Sequence, residues 1–261
     1  MAKRSLNSAK RRCCNQKWWL LGRWCTVVMT LVSLVGSTLT VQAADSRDRA
    51  AIDGLPVIEL PAAGGNSDVL AIILSGDGGW ADLDKSLGEA FQKQGVSTIG
   101  FDCLKYFWKT RHPAEVSQMI EGVLRHYLQA WNKKRVLFVG FSFGACWLPF
   151  LVNRLSADLL AQIELCVLLG PSDFANVEIH VMDWMSDERR PGALEVLPEA
   201  LKMTKPQLCV YGTEEDDAIC PQLTGGKVTV LAMPGDHHYN HRYAPVIDAI
   251  FKKMADLAAQ R

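Results

Sequence analysis

The chain lacks the spacings that build metal and nucleotide sites. It has no Cys-x-x-Cys pair and no His-Glu-x-x-His, so no metal and no cofactor is expected. Gly-x-Gly-x-x-Gly is absent, and the glycine-rich turn Ser75-Gly-Asp-Gly-Gly79 is not followed by Gly-Lys-Ser/Thr, which disfavours nucleotide binding. Only one apolar run is long enough to concern a membrane, and that excludes a multi-span architecture. With 21% charged and 49% hydrophobic residues, the 261 residues are neither disordered nor collagen-like. They suffice for one large domain or two small ones.

Carboxylates are missing altogether from residues 1–43, where Lys3, Arg4, Lys10, Arg11, Arg12, Lys17 and Arg23 stand; the first is Asp45. The 28 basic and 28 acidic residues therefore balance only over the whole chain. Setting aside those seven leaves 21 basic against 28 acidic residues in 44–261, a net charge of −7. The basic segment runs into an apolar stretch, Trp24–Val35, and then Val41-Gln-Ala43. A positive end, an apolar middle and small residues at −3 and −1 describe a secretory signal peptide over 1–43, with an uncleaved anchor helix as the alternative. The acidic remainder argues against nucleic acid as a partner, which would require a basic surface.

Five cysteines follow residue 43: Cys103, Cys146, Cys166, Cys209 and Cys220. An odd number in an oxidising compartment leaves at least one free thiol. Cys209 and Cys220 bracket one short loop and are the expected disulfide.

Residues 44–54 read as a mobile polar linker, and 55–261 as the folded domain. Apolar runs at 69–74, 96–100, 135–140, 164–170, 207–212 and 227–233 read as strands, several of them buried on both faces. Between them, 83–94, 113–131, 141–155 and 243–259 carry helical spacing. Such alternation predicts an α/β fold, a mostly parallel sheet with helices on both faces. Only residues 172–202 break the rhythm, which suggests a small cap or insertion.

The chemistry centres on Gly140-Phe-Ser142-Phe-Gly144, set between a strand and a helix. This is the Gly-x-Ser-x-Gly nucleophile elbow in its required context. A serine hydroxyl needs a base, and Met233-Pro-Gly-Asp-His237-His238-Tyr follows the last strand, where a hydrolase histidine belongs. The reading favours His238, with His237 as the alternative. The orienting carboxylate is expected after the strand ending at Gly212, where Glu214, Glu215, Asp216 and Asp217 stand; Asp217 is favoured, then Asp216. An oxyanion needs two backbone N–H groups. Phe143 would give one, and Asp77 or Gly78 of the glycine-rich turn the other.

Leu74-Ser-Gly-Asp-Gly-Gly-Trp80, Gly100-Phe-Asp102-Cys-Leu-Lys-Tyr106-Phe-Trp108, the elbow, Cys209-Val-Tyr-Gly212 to Cys220-Pro, and Pro234-Gly-Asp-His-His238-Tyr together resemble the VirJ/AcvB bacterial virulence proteins, in their short VirJ form. The resemblance runs from about residue 57 to the C-terminus. It implies a periplasmic α/β-hydrolase, a link to type IV secretion, and hydrolysis of lysyl-phosphatidylglycerol at the membrane surface. It also implies Ser142 as nucleophile, with the base from His237-His238 and the acid from the loop between Gly212 and Cys220. A lysyl group needs carboxylates outside the triad, and Asp77 and Asp102 are the candidates, with Trp80 and Tyr106 expected beside the substrate. The alternative is a non-enzymatic binding protein or chaperone of secretion substrates on a hydrolase scaffold.

Overall fold

The computed structural model describes residues 52–62, 64, 67–180 and 188–261. The expected signal peptide, its cleavage site and most of the expected linker lie outside the described residues.

Seven strands form one sheet: β1 (Val57–Leu60), β2 (Val69–Leu74), β3 (Ser97–Phe101), β4 (Arg135–Phe141), β5 (Ile163–Leu169), β8 (Gln207–Gly212) and β9 (Val228–Met233). Their order is β1-β3-β2-β4-β5-β8-β9. All pairings are parallel except β1 with β3, which is antiparallel at the edge. β6 (Phe174–Ala175) and β7 (Leu194–Glu195) form a separate two-stranded ladder. It lies within 172–202, the stretch expected as a cap.

Period-two alternation sends the central strands' side chains to two apolar layers. Leu70, Ile72, Leu74, Val136 and Phe138 face one layer, with Val123 and Leu124 of α3 (Pro113–Ala130) and Trp147 and Leu148 of α4 (Phe143–Val152). Ala71, Ile73, Leu137 and Val139 face the other, with Leu87 and Phe91 of α1 (Asp82–Lys93) and Val246 and Ile250 of α7 (Ala244–Ala258). Short helices α2 (Cys103–Tyr106), α5 (Ala157–Gln162) and α6 (Val196–Ala200) complete the set. Burial on both faces explains why β2, β4 and β5 read as unbroken apolar runs. β1 escapes the sequence reading because it is a short, half-exposed edge strand between Pro56 and Pro61.

The expected disulfide is present: Cys209 of β8 is bonded to Cys220, with Cα atoms 5.5 Å apart. Cys103, Cys146 and Cys166 are buried outside any disulfide, and Cys146 Sγ accepts from Ser172 N–H at 3.3 Å.

Candidate active site

Every loop that carries the site leaves the C-terminal end of a parallel strand, where ligands of such sheets bind. Ser142 follows β4 and adopts φ 51°, ψ −117°, a conformation that side chains resist and that costs about 1–3 kcal/mol. The sequence meets that cost with close packing. A Cβ on Gly140 would lie 2.5 Å from Gly144 O, and one on Gly144 would lie 2.4 Å from Leu74 O. Glycine at both positions lets α4 start directly against the sheet. The Ser142 N–H donates to Leu169 O at 2.8 Å, which ties the elbow to β5. Phe143 opens α4, so its N–H has no acceptor within the helix.

The glycine turn follows β2, with Gly79 N–H donating to Gly76 O at 3.1 Å. Asp77 and Gly78 are thus the two central residues of the turn. Gly76 is buried beside the nucleophile, and a Cβ there would lie 3.4 Å from Ser142 Cβ.

His237 is held from several sides. Its ring stacks on Phe141 with centroids 5.2 Å apart. A Cβ on Gly170, whose φ is +60°, would lie 2.7 Å from His237 Cε1. The next residue but one, Tyr239, is fully buried and donates its hydroxyl to Val210 O at 3.3 Å. Asp236 Oδ1 accepts from the N–H groups of His238 and Asn240. These bonds hold Tyr239, Asn240 and His241 at positive φ.

His237 Nδ1 lies 2.7 Å from Glu215 Oε2. A carboxylate at that position only accepts, so Nδ1 carries the proton and Nε2 keeps a lone pair. The Glu215 side chain is 7% exposed, and its other oxygen accepts from Gly212 N–H at the end of β8.

The histidine that meets a carboxylate is the expected alternative, His237, rather than the favoured His238, and the carboxylate is Glu215 rather than Asp217 or Asp216, although all of them line the same cavity. Asp216 and Asp217 are exposed, and the carboxylate that meets a histidine is Glu215, because the turn after β8 folds it back onto the strand end. His238 is exposed, with its ring against His241. Burial of part of the ring, and then the charge of His237, lowers its pKa.

Ser142, Phe143, Asp77, Gly78, His237 and Glu215 all line one cavity of about 770 Å³. Of the described residues lining it, eight are Asp or Glu and none is Lys or Arg. They come from three segments of the chain: Asp77, Asp82 and Asp84, then Glu214 to Asp217, then Asp236.

Three residues expected beside a substrate are elsewhere. Asp102 is buried as the N-cap of α2, accepting from Lys105 N–H at 3.2 Å and pairing with Lys105 Nζ at 3.0 Å. Trp80 fills the hollow over two glycines, since a Cβ on Gly100 would lie 2.5 Å from its ring and one on Gly88 would lie 3.4 Å from it. Tyr106 packs edge-on between Phe101 and Phe107 beneath the Arg111 guanidinium. Sequence reasoning missed Glu215 as the paired acid and Asp84 as the buried one. Position after β8 marks Glu214 to Asp217 alike and does not single out the first; nothing in the local sequence marks the second.

Among solved structures, the chain is similar to Est1E from Butyrivibrio proteoclasticus, with 17% identity and a TM-score of 0.58 over 79% of this chain and 96% of that one. It is also similar to an alpha-beta serine hydrolase homologue from Coxiella burnetii, with 16% identity and a TM-score of 0.53 over 75% and 89%. Proline iminopeptidase of Mycobacterium smegmatis gives 13% and 0.53 over 77% and 94%. At these identities the likeness establishes the α/β-hydrolase fold. Sequence comparison with curated proteins gives no match. The family described as "Bacterial virulence protein (VirJ)" matches residues 68–258, most of the chain, and the chain belongs to that family.

Proposed function

We propose that the protein is a periplasmic serine hydrolase that cleaves the aminoacyl ester of lysyl-phosphatidylglycerol. One observation carries the reading: Ser142 on its strained elbow shares a cavity with the His237–Glu215 pair, and the described residues lining that cavity include eight carboxylates and neither lysine nor arginine. A serine, an oriented imidazole and a donor-lined turn supply acyl transfer. The acidic wall suits an acyl group with ammonium charges and opposes an anionic one. The Cys209–Cys220 disulfide supports an oxidising compartment.

In this mechanism Ser142 Oγ attacks the ester carbonyl while its proton passes to His237 Nε2. Glu215 holds the ring and balances the imidazolium. The N–H of Phe143 and that of Asp77 or Gly78 receive the oxyanion. Collapse breaks the ester C–O bond, and the leaving phosphatidylglycerol oxygen takes the proton from His237. Water then attacks the lysyl-enzyme, its proton going to His237 and on to Ser142, and lysine is released.

The test is incubation of the purified protein with lysyl-phosphatidylglycerol in detergent micelles. Free lysine and phosphatidylglycerol are expected, and none from Ser142→Ala. Intact substrate after prolonged incubation would sink the assignment. A place beside type IV secretion is part of the same proposal. Cells lacking the protein should accumulate the aminoacylated lipid and lose secretion of virulence substrates. An unchanged lipid profile with lost secretion would favour a non-enzymatic docking role.

A further inference from the structure

One buried carboxylate in the cavity wall has no part in the Ser142–His237–Glu215 arrangement. Asp84, the third residue of α1, is 2% exposed. Its Oδ2 accepts from Ala81 N–H at 3.2 Å, closing the first turn of the helix. Its Oδ1 is buried and has no hydrogen-bond partner among the described residues. Capping accounts for one oxygen, and a neutral amide would serve that purpose equally well. The charge and the second oxygen are left over.

A charged oxygen buried without a donor keeps its full desolvation penalty. The positive end of α1 favours an anion there, and Lys85 has a small effect in the same direction. They do not suffice. Burial, reinforced by the nearby Asp102, still pushes the Asp84 carboxyl up to about 7. A cationic partner would satisfy both the remaining oxygen and its charge.

Asp77 and Asp82 stand in the same wall. Gly76, at the start of the segment that carries them, lies against Ser142 Cβ, and Asp77, Asp82 and Asp84 line the same cavity as Ser142. We propose that Asp84 receives the side-chain ammonium of the acyl group and is the residue by which the site selects a lysyl over a neutral ester. This rests on the reading of the cavity as a site for cationic acyl esters. The four-methylene chain of lysine carries its charge away from the reacting carbonyl, and Asp77 and Asp82 would surround the same ammonium.

The test is calorimetric binding of L-lysinamide and L-norleucinamide to the Ser142→Ala protein, with and without Asp84→Asn. The two ligands share the backbone and differ in the terminal ammonium. Lysinamide is expected to bind about tenfold or more tightly than norleucinamide, the scale of a charge-assisted hydrogen bond. Asp84→Asn, which keeps an acceptor for Ala81 N–H, should abolish that preference. Asp84→Ser serves the same comparison should the first variant fail to fold. Equal affinity for the two ligands, or a preference that survives both substitutions, overturns the proposal. Ester hydrolysis without such a preference would remove the subsite and leave the hydrolase assignment standing. Asp84-dependent binding with no hydrolysis of any lysyl ester would do the reverse.

Discussion

Glu215 Oε2 sits 2.7 Å from His237 Nδ1, and this contact singles out one of four consecutive carboxylates and one of two adjacent histidines as a bonded pair. Replacing Glu215 by Gln keeps the shape and removes the charge that fixes the tautomer. The expected loss in kcat is about 10²–10⁴-fold, by analogy with the orienting carboxylate of a serine triad, with KM little changed. Steady-state kinetics on a lysyl ester checks it. A larger loss in Asp217→Asn than in Glu215→Gln would reverse the assignment.

His237→Ala should abolish turnover to the level of Ser142→Ala, whereas His238→Ala should retain a measurable kcat. The reason is geometric. His237 lies between Phe141, Gly170 and Glu215 and bonds the carboxylate, while His238 lines the same cavity but packs its ring on Phe141 and His241. Comparing single-turnover rates of the two variants separates them, and the opposite order would refute it.

Gly170 has no chemistry of its own, yet Gly170→Ala should cost activity. The new Cβ would meet His237 Cε1 at 2.7 Å, on a residue whose φ is +60°. The imidazole must shift, and misplacement on this scale costs about 10²-fold in rate. The measurement is kcat alongside the melting temperature, because a pure stability effect would leave kcat intact below the transition.

Removing the charge at Asp84 should stabilise the protein in a pH-dependent way. The folded carboxyl is raised from 3.8 to about 7, so the folded state binds the proton more tightly than the unfolded chain. Stability is then lost as pH rises from about 4 to about 7. Asp84→Asn is expected to melt higher than wild type at pH 8, by an amount that shrinks toward pH 4. A gap that grows on acidification would contradict the burial of an unpaired carboxylate.

Reduction of Cys209–Cys220 should lower stability by about 2–4 kcal/mol and loosen the segment that carries Glu215, which lies between the two cysteines. Denaturant unfolding with and without reductant measures the first effect, and kcat under mild reduction the second. Identical midpoints would show that the bond is dispensable.

The sheet and the elbow were legible because each is written in local chemistry. Buried strands require apolar runs, and Gly140 and Gly144 are demanded by contacts of their own backbone with α4 and β2. The choice between Asp217 and Glu215 was not local. It depends on the turn after β8, where Gly212 N–H captures Glu215, and neighbouring acids look alike until that turn is formed. Asp102 was misread for a similar reason. Asp102 stands at a strand end, as a ligand residue would, but α2 begins there and takes it as a cap. Trp80 read as a binding aromatic because the glycines it covers, Gly88 and Gly100, meet it only once α1 and β3 have packed together.

The central claim is that Ser142 is an activated nucleophile, and labelling with a fluorophosphonate followed by intact-protein mass spectrometry tests it most directly. The account predicts a single adduct mapped to Ser142, slowed severely in His237→Ala and absent in Ser142→Ala. A folded wild-type protein that remains unlabelled under conditions that saturate other serine hydrolases would contradict it.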